Sequence, residues 1–222
     1  MKIILEKWQH FLNEEVEEEL PFRVYCDMDG VLVDLPGGIL QALNVENTSR
    51  EFKKATLELI VQSKQEGKLW QHFKNNERYN KSVKYIFKLL TNNEEFWTNL
   101  PPTEDAMMLW SGLQKYNPFI LSAPWQANGK VDQACVAGKN AWLKKLDPSL
   151  FKGNEQRVFL ENKKEIYASN DGAASPNILI DDMPKYRLPW EANGGIAIAH
   201  QEGQAGQTLE RLASLINKIS VV

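Results

Sequence analysis

The sequence predicts an α/β fold: a Rossmann-like doubly wound parallel sheet with a helical insert after the first strand. Three observations predict it. Five short runs of apolar, β-branched or aromatic residues alternate with helical periodicity. These runs are apolar along nearly their whole length, as strands covered on both faces of a parallel sheet must be. The alternation breaks once, over residues 39–97, where helical patterns succeed one another with no clear strand between them.

Residues 2–19 place Leu5, Trp8, Phe11 or Leu12, and Val16 at helical spacing, followed by a glutamate-rich end that opposes the helix dipole and then by Pro21. They predict an accessory helix covering an edge of the core. The first strand is FRVYCD (22–27), stopped by DMDG. Within the insert, Phe52, Ala55, Leu59 and Ile60 mark one helix, and Tyr79, Val83, Ile86, Phe87 and Leu90 another. Ala106, Leu109, Trp110 and Leu113 form one helical face before the strand PFILS (118–122). Val136, Trp142, Leu143 and Leu146 form a weaker one before QRVFL (156–160). NILID (177–181) and GGIAIAH (194–200) are the last strands, and Leu209, Leu212, Leu215, Ile216 and Ile219 mark the closing helix. The expected domains are an accessory helix at 1–20, an α/β core at 21–36 and 99–222, and a helical cap at 37–98.

With 222 residues, 43 % hydrophobic and 25 % charged, the chain can bury a real core, and disorder, collagen and coiled coil are excluded. A net charge of −3 argues against a general grip on a nucleic-acid polymer or an anionic membrane. No apolar run approaches the roughly 20 residues of a membrane span. Two distant cysteines, Cys26 and Cys135, and no leader-like start suggest free thiols and a cytoplasmic location. Residues 50–95 carry ten Lys/Arg against six Glu and no Asp, leaving the rest of the chain acidic. Such charge either solvates a helix face or draws an anionic substrate.

In an open parallel sheet, ligands sit beyond the carboxyl ends of the strands. Those ends supply Asp27 and Asp29, then Ser122, then Glu161 to Lys163, then Asp181 and Asp182. Several ionised carboxylates sharing one edge need a cation, and all-oxygen donors select a hard one, Mg²⁺ before others. His10, His72 and His200 have no ligand spacing, so zinc is not expected. DMDG alone is an ordinary turn signal, and its spacing fails the calcium-loop pattern, with Gly30 fourth and Gly38 twelfth. The joint pattern points further: Asp27 as a nucleophile on phosphorus, Asp29 as general acid/base, and Gly30 to turn the chain off the strand.

These residues resemble the haloacid dehalogenase-like superfamily of phosphohydrolases. YCDMDGVLVD is similar to its first motif, FILSAP to its second and NILIDDMP to its fourth, in that order, while the lysine of the third is matched by Lys139 or by Lys163. Within it, DMDGVLVD followed by Gly37-Gly38, FWTNLPP and GKNAWL resembles the 5′(3′)-deoxyribonucleotidases. The resemblance implies Mg²⁺-dependent hydrolysis of a nucleoside monophosphate. It makes Asp27 the nucleophile and Asp29 the acid/base, with Asp27, the backbone carbonyl of Asp29, and Asp181 and Asp182 around the metal, one of the last two directly and the other through water. Gly30, Ser122, Ala123, Lys139 and Lys163 would bind phosphate, with backbone N–H groups of Gly30 and Val31 contributing. Trp70, Phe73, Phe96 and Trp97 are the cap aromatics available to a base, although helical spacing also suits a cap core. Ala123 stands where this group has a second hydroxyl, and Glu161 where an arginine is common, so substrate choice stays open. A sugar phosphate or other small phosphoester, or an inactive nucleotide-binding copy of the fold, are the alternatives, and a homodimer is compatible with the chain.

Overall fold

Val24–Cys26 (β1), Phe119–Ser122 (β2), Val158–Leu160 (β5), Ile178–Asp181 (β6) and Ile196–Ala199 (β7) are the five expected strands. They form one parallel sheet in the order β5-β2-β1-β6-β7. The structure, a computed structural model, describes residues 21–43, 85–153, 155–169 and 176–219. The expected accessory helix, the helix at 52–60, and Trp70 and Phe73 lie outside them.

Alternate residues of the strands feed two cores. Val24, Cys26, Ile120, Ile178, Ile180 and Ile198 face one side and pack on helices Ala106–Leu113 (α3), Gln133–Leu146 (α4) and Ala205–Ile219 (α6). Tyr25, Phe119, Leu121 and Leu179 face the other, where Trp190 of helix Pro184–Ala192 (α5) covers them. There Tyr25 lies 5.3 Å from the Phe119 ring and 5.6 Å from that of Trp190. Helices on both faces make the sheet doubly wound, as the sequence predicts.

Strand order reverses between β1 and β6, which register Cys26 against Ile180. A crevice at the carboxyl ends follows from that reversal. Helix Leu35–Ala42 (α1) begins within the residues expected to be core, capped by Asp34, whose Oδ1 accepts from Gly37 N at 2.8 Å. Of the second expected cap helix, residues 85–90 are described and helical, with Ile86 and Leu90 buried. Helix Glu94–Thr98 (α2) then leads into the core and packs on α4.

Two of the elements that were not expected have a plain physical reason. One is the small hairpin Gln126–Ala127 (β3) and Lys130–Val131 (β4), turned by Asn128 and Gly129 at positive φ. The other is α5, which starts on Pro184 and carries Pro189 inside it. Proline at a first helical position forfeits no hydrogen bond, so the residue that reads as a breaker is here a starter. Among the described residues, no helix is long and apolar enough to cross a membrane.

Candidate active site

Asp27 follows β1 directly, and its N–H donates to Ile180 O at 2.9 Å, so the sheet itself seats it beside Asp181 at the end of β6. The DMDG turn then closes on itself: Leu32 and Val33 N–H donate to Met28 O at 2.9 and 2.8 Å, and Gly30 N–H to Val33 O at 2.8 Å. Gly30 has φ +80°, and a Cβ there would sit 2.4 Å from Asp182 Oδ2. Glycine is therefore what lets the first and fourth motifs touch.

Two buried lysines enter from opposite faces of the sheet. Lys164 opens a 3-10 turn, Lys164–Tyr167, on the side of the aromatic core. Its Nζ is 2.6 Å from Asp181 Oδ2 and 2.9 Å from Asp27 Oδ2. Lys139 comes from α4, and its Nζ donates to Asp29 Oδ2 at 2.6 Å, Ser122 Oγ at 3.0 Å and Ala123 O at 2.9 Å. Each ammonium thus answers a different aspartate of the DMDG pair. Burial alone would pull the Lys164 ammonium toward neutrality, but the charges of Asp27 and Asp181 outweigh it and hold the proton on.

The carboxylates outnumber these cations. Burial, then the charge of Asp27, pushes Asp181 up to about 7 against the opposing pull of Lys164. Burial and the charges of Asp27 and Asp181 raise Asp182 well above the usual carboxylate range. Asp182 Oδ1 is buried without a hydrogen-bond partner. Asp27, Asp181 and Asp182 each offer an oxygen, all within 4.8 Å of one another. Crowded oxygen-only donors with an orphaned oxygen fit a hard divalent cation such as Mg²⁺. Both oxygens of Asp181 are engaged, Oδ2 by Lys164 and Oδ1 by Met183 N–H at 2.7 Å, and so are both of Asp27, Oδ2 by Lys164 and Oδ1 by Met28 N–H at 2.7 Å, whereas Asp182 Oδ1 has no partner.

Three expectations need correcting. Lys163 is exposed, and the lysine on the aspartates is its neighbour Lys164. One residue of register inside a 3-10 turn made the difference. The backbone N–H groups of Gly30 and Val31 are spent within the turn, Val31 N on Met28 O at 3.3 Å, so neither is free for phosphate. The carboxylate of Asp29 pairs with Lys139 outside the acidic trio, which leaves untouched the expectation for that residue, a backbone carbonyl on the metal. Phe96 lines a separate groove with Gly38 and Leu100, packed edge-on against Trp97, so it does not reach the crevice.

Ser122 is wholly buried, its Oγ accepting from Lys139 Nζ, and Ala123 borders the crevice. Asp27, Asp29 and Asp182 open onto a cavity walled by Trp97 and Trp125. Trp97 Nε1 donates to Leu90 O at 3.0 Å and Trp125 Nε1 to Thr91 Oγ1 at 3.1 Å, which fixes both indoles to the chain leaving the insert. Trp125 and Tyr186 also border this cavity without having been singled out. Their only sequence signals were closeness to the second and fourth motifs.

No protein-family model matches the chain, and no curated protein matches it. Among solved structures, the chain is similar to one described as a dehalogenase, at 11 % identity over 87 % of this chain and 96 % of that one, with a TM-score of 0.48.

Proposed function

We propose that the protein is a Mg²⁺-dependent phosphomonoester hydrolase acting through an aspartyl phosphate on Asp27, with a nucleoside monophosphate of the 5′(3′)-deoxyribonucleotide kind as substrate. The observation that carries this reading is the pairing of two aspartates with two buried lysines: Asp27 on Lys164 and Asp29 on Lys139. A carboxylate paired with an ammonium at the mouth of a cavity is placed to act as a nucleophile. A second one two residues on, partly exposed in the same cavity, serves as a proton carrier.

In the first step the Asp27 carboxylate attacks phosphorus and the bond to the leaving alcohol oxygen breaks, with Asp29 giving that oxygen its proton. In the second, Asp29 takes a proton from water, the water oxygen attacks the same phosphorus, and Asp27 is released as carboxylate. Lys139 changes partners between these states. While Asp29 is protonated it no longer attracts the ammonium, and one Lys139 N–H becomes available to a phosphate oxygen while Ser122 Oγ and Ala123 O keep the others. When bound, Mg²⁺ would supply positive charge against the carboxylates and the phosphate, and Asp27, Asp181 and Asp182 are the residues that would hold it. The aromatic lining contributed by Trp97, Trp125 and Tyr186 suits a nucleobase.

The test is phosphate release from deoxyribonucleoside and ribonucleoside 5′- and 3′-monophosphates and sugar phosphates, with Mg²⁺, by wild type and Asp27→Asn. Nucleotides should be hydrolysed by the wild type only. Equal release by both proteins would sink the mechanism, and a preference for sugar phosphates would keep the hydrolase while replacing its substrate. Nucleotide binding without any turnover would identify an inactive copy of the fold.

A further inference from the structure

We infer that Tyr186 is a positioning residue for the nucleophile: the face of its ring is the third partner of the Lys164 ammonium and keeps that ammonium on Asp27. The Lys164 side chain is wholly buried. An ammonium has three N–H donors, and a buried donor left without a partner is costly. Asp27 Oδ2 at 2.9 Å and Asp181 Oδ2 at 2.6 Å take two. The Tyr186 ring centroid lies 4.3 Å from the same Nζ, well inside the roughly 6 Å reach of a cation–π contact.

The ring is held there by the motif it serves. Asp181 Oδ1 accepts from Met183 N–H at 2.7 Å, and Met183 O accepts from Tyr186 N–H at 3.1 Å in the first turn of α5. Asp181 therefore binds Lys164 with one oxygen and sets the turn that carries Tyr186 with the other. Tyr186 also borders the cavity alongside Asp27 and Asp182, so its ring closes the approach of cavity water to Lys164. A low local dielectric strengthens the Lys164–Asp27 attraction, and water admitted beside the ammonium would weaken it and let Asp27 shift. Small displacements of an attacking group lower the rate of reaction more than they weaken binding.

Two variants separate ring from hydroxyl: Tyr186→Phe keeps the ring, and Tyr186→Leu removes it, with Tyr186→Met as a second ring-less variant should the first fail to fold. The kinetic arm rests on the phosphomonoesterase reading. Tyr186→Phe should keep kcat within about twofold, and the ring-less variant should lose roughly ten- to thirtyfold in kcat with KM nearly unchanged. Equal losses in Phe and Leu would assign the effect to the hydroxyl. A raised KM with kcat kept would make the ring a substrate contact. Either result overturns the inference. The second arm needs no activity: ¹⁵N-lysine NMR of the metal-free protein, with the Lys164 signal assigned from Lys164→Arg. A slowly exchanging ammonium with ring-current-shifted protons should persist in Tyr186→Phe and vanish in the ring-less variant. An unchanged signal there overturns the inference whatever the kinetics. Loss of the signal in a protein that cleaves no phosphoester would leave the inference standing and remove the proposed function.

Discussion

Lys163 is exposed and Lys164 buried, so one step along the chain separates a solvated cation from one bonded to two aspartates. Lys163→Ala should leave phosphate release within about twofold and stability within about 0.5 kcal/mol of wild type. Lys164→Ala should abolish release and cost about 3–5 kcal/mol in urea unfolding, because it leaves Asp27 and Asp181 buried and facing each other without the charge between them. Position 30 is equally intolerant for a steric reason. In Gly30→Ala, a Cβ at φ +80° would meet Asp182 Oδ2 at 2.4 Å. A loss of about 1–3 kcal/mol in the same measurement is expected from backbone strain, together with displacement of Asp182.

Helix α4 depends on Asp132, which does two things at its N-terminus. Its Oδ1 caps the helix at Cys135 N, 2.9 Å away, and its Oδ2 accepts from Asn92 N at 2.8 Å, tying the chain leaving the insert to the helix that carries Lys139. Asp132→Ala should therefore lower stability by about 1–2 kcal/mol by thermal melting, more than an exposed cap removed alone. The elements legible in the sequence were those whose burial shows in composition: all five sheet strands, apolar throughout, and α3, α4 and α6 with their apolar stripes. Helix α5 was hidden because Pro184 and Pro189 read as breakers, and the β3–β4 hairpin because two-residue strands have no pattern, even around an Asn-Gly turn. Likewise the strand ends revealed the four aspartates and Ser122. The turn that swings Lys164 inward, and the helix start that lays Tyr186 over it, are tertiary outcomes with no local signature.

The whole molecule carries an acidic site that burial makes unfavourable unless a cation binds. The folded values of Asp181, about 7, and of Asp182 lie above the unfolded 3.8, so between about pH 4 and pH 7 the folded chain holds protons that the unfolded chain has released. Stability of the metal-free protein due to these groups is therefore present at low pH and lost as pH rises through that window. His200 acts oppositely: burial lowers it from 6.5 despite Asp105 and Glu202, so it removes stability on acidification. Asp182→Asn isolates the site from that background. Without metal at pH 7.5 the variant should melt above wild type, since it removes a buried like charge beside Asp27 and Asp181, and its melting temperature should change less between pH 5 and 7.5. With Mg²⁺ the order should reverse. A ligand at a hundred times its dissociation constant stabilises the folded state by about 2.7 kcal/mol, which wild type gains and the variant, lacking the carboxylate with the spare oxygen, loses in large part. Equal Mg²⁺ shifts in the two proteins would place the cation away from Asp182, and a variant less stable without metal would mean that Asp182 is held by contacts stronger than the repulsion its burial implies.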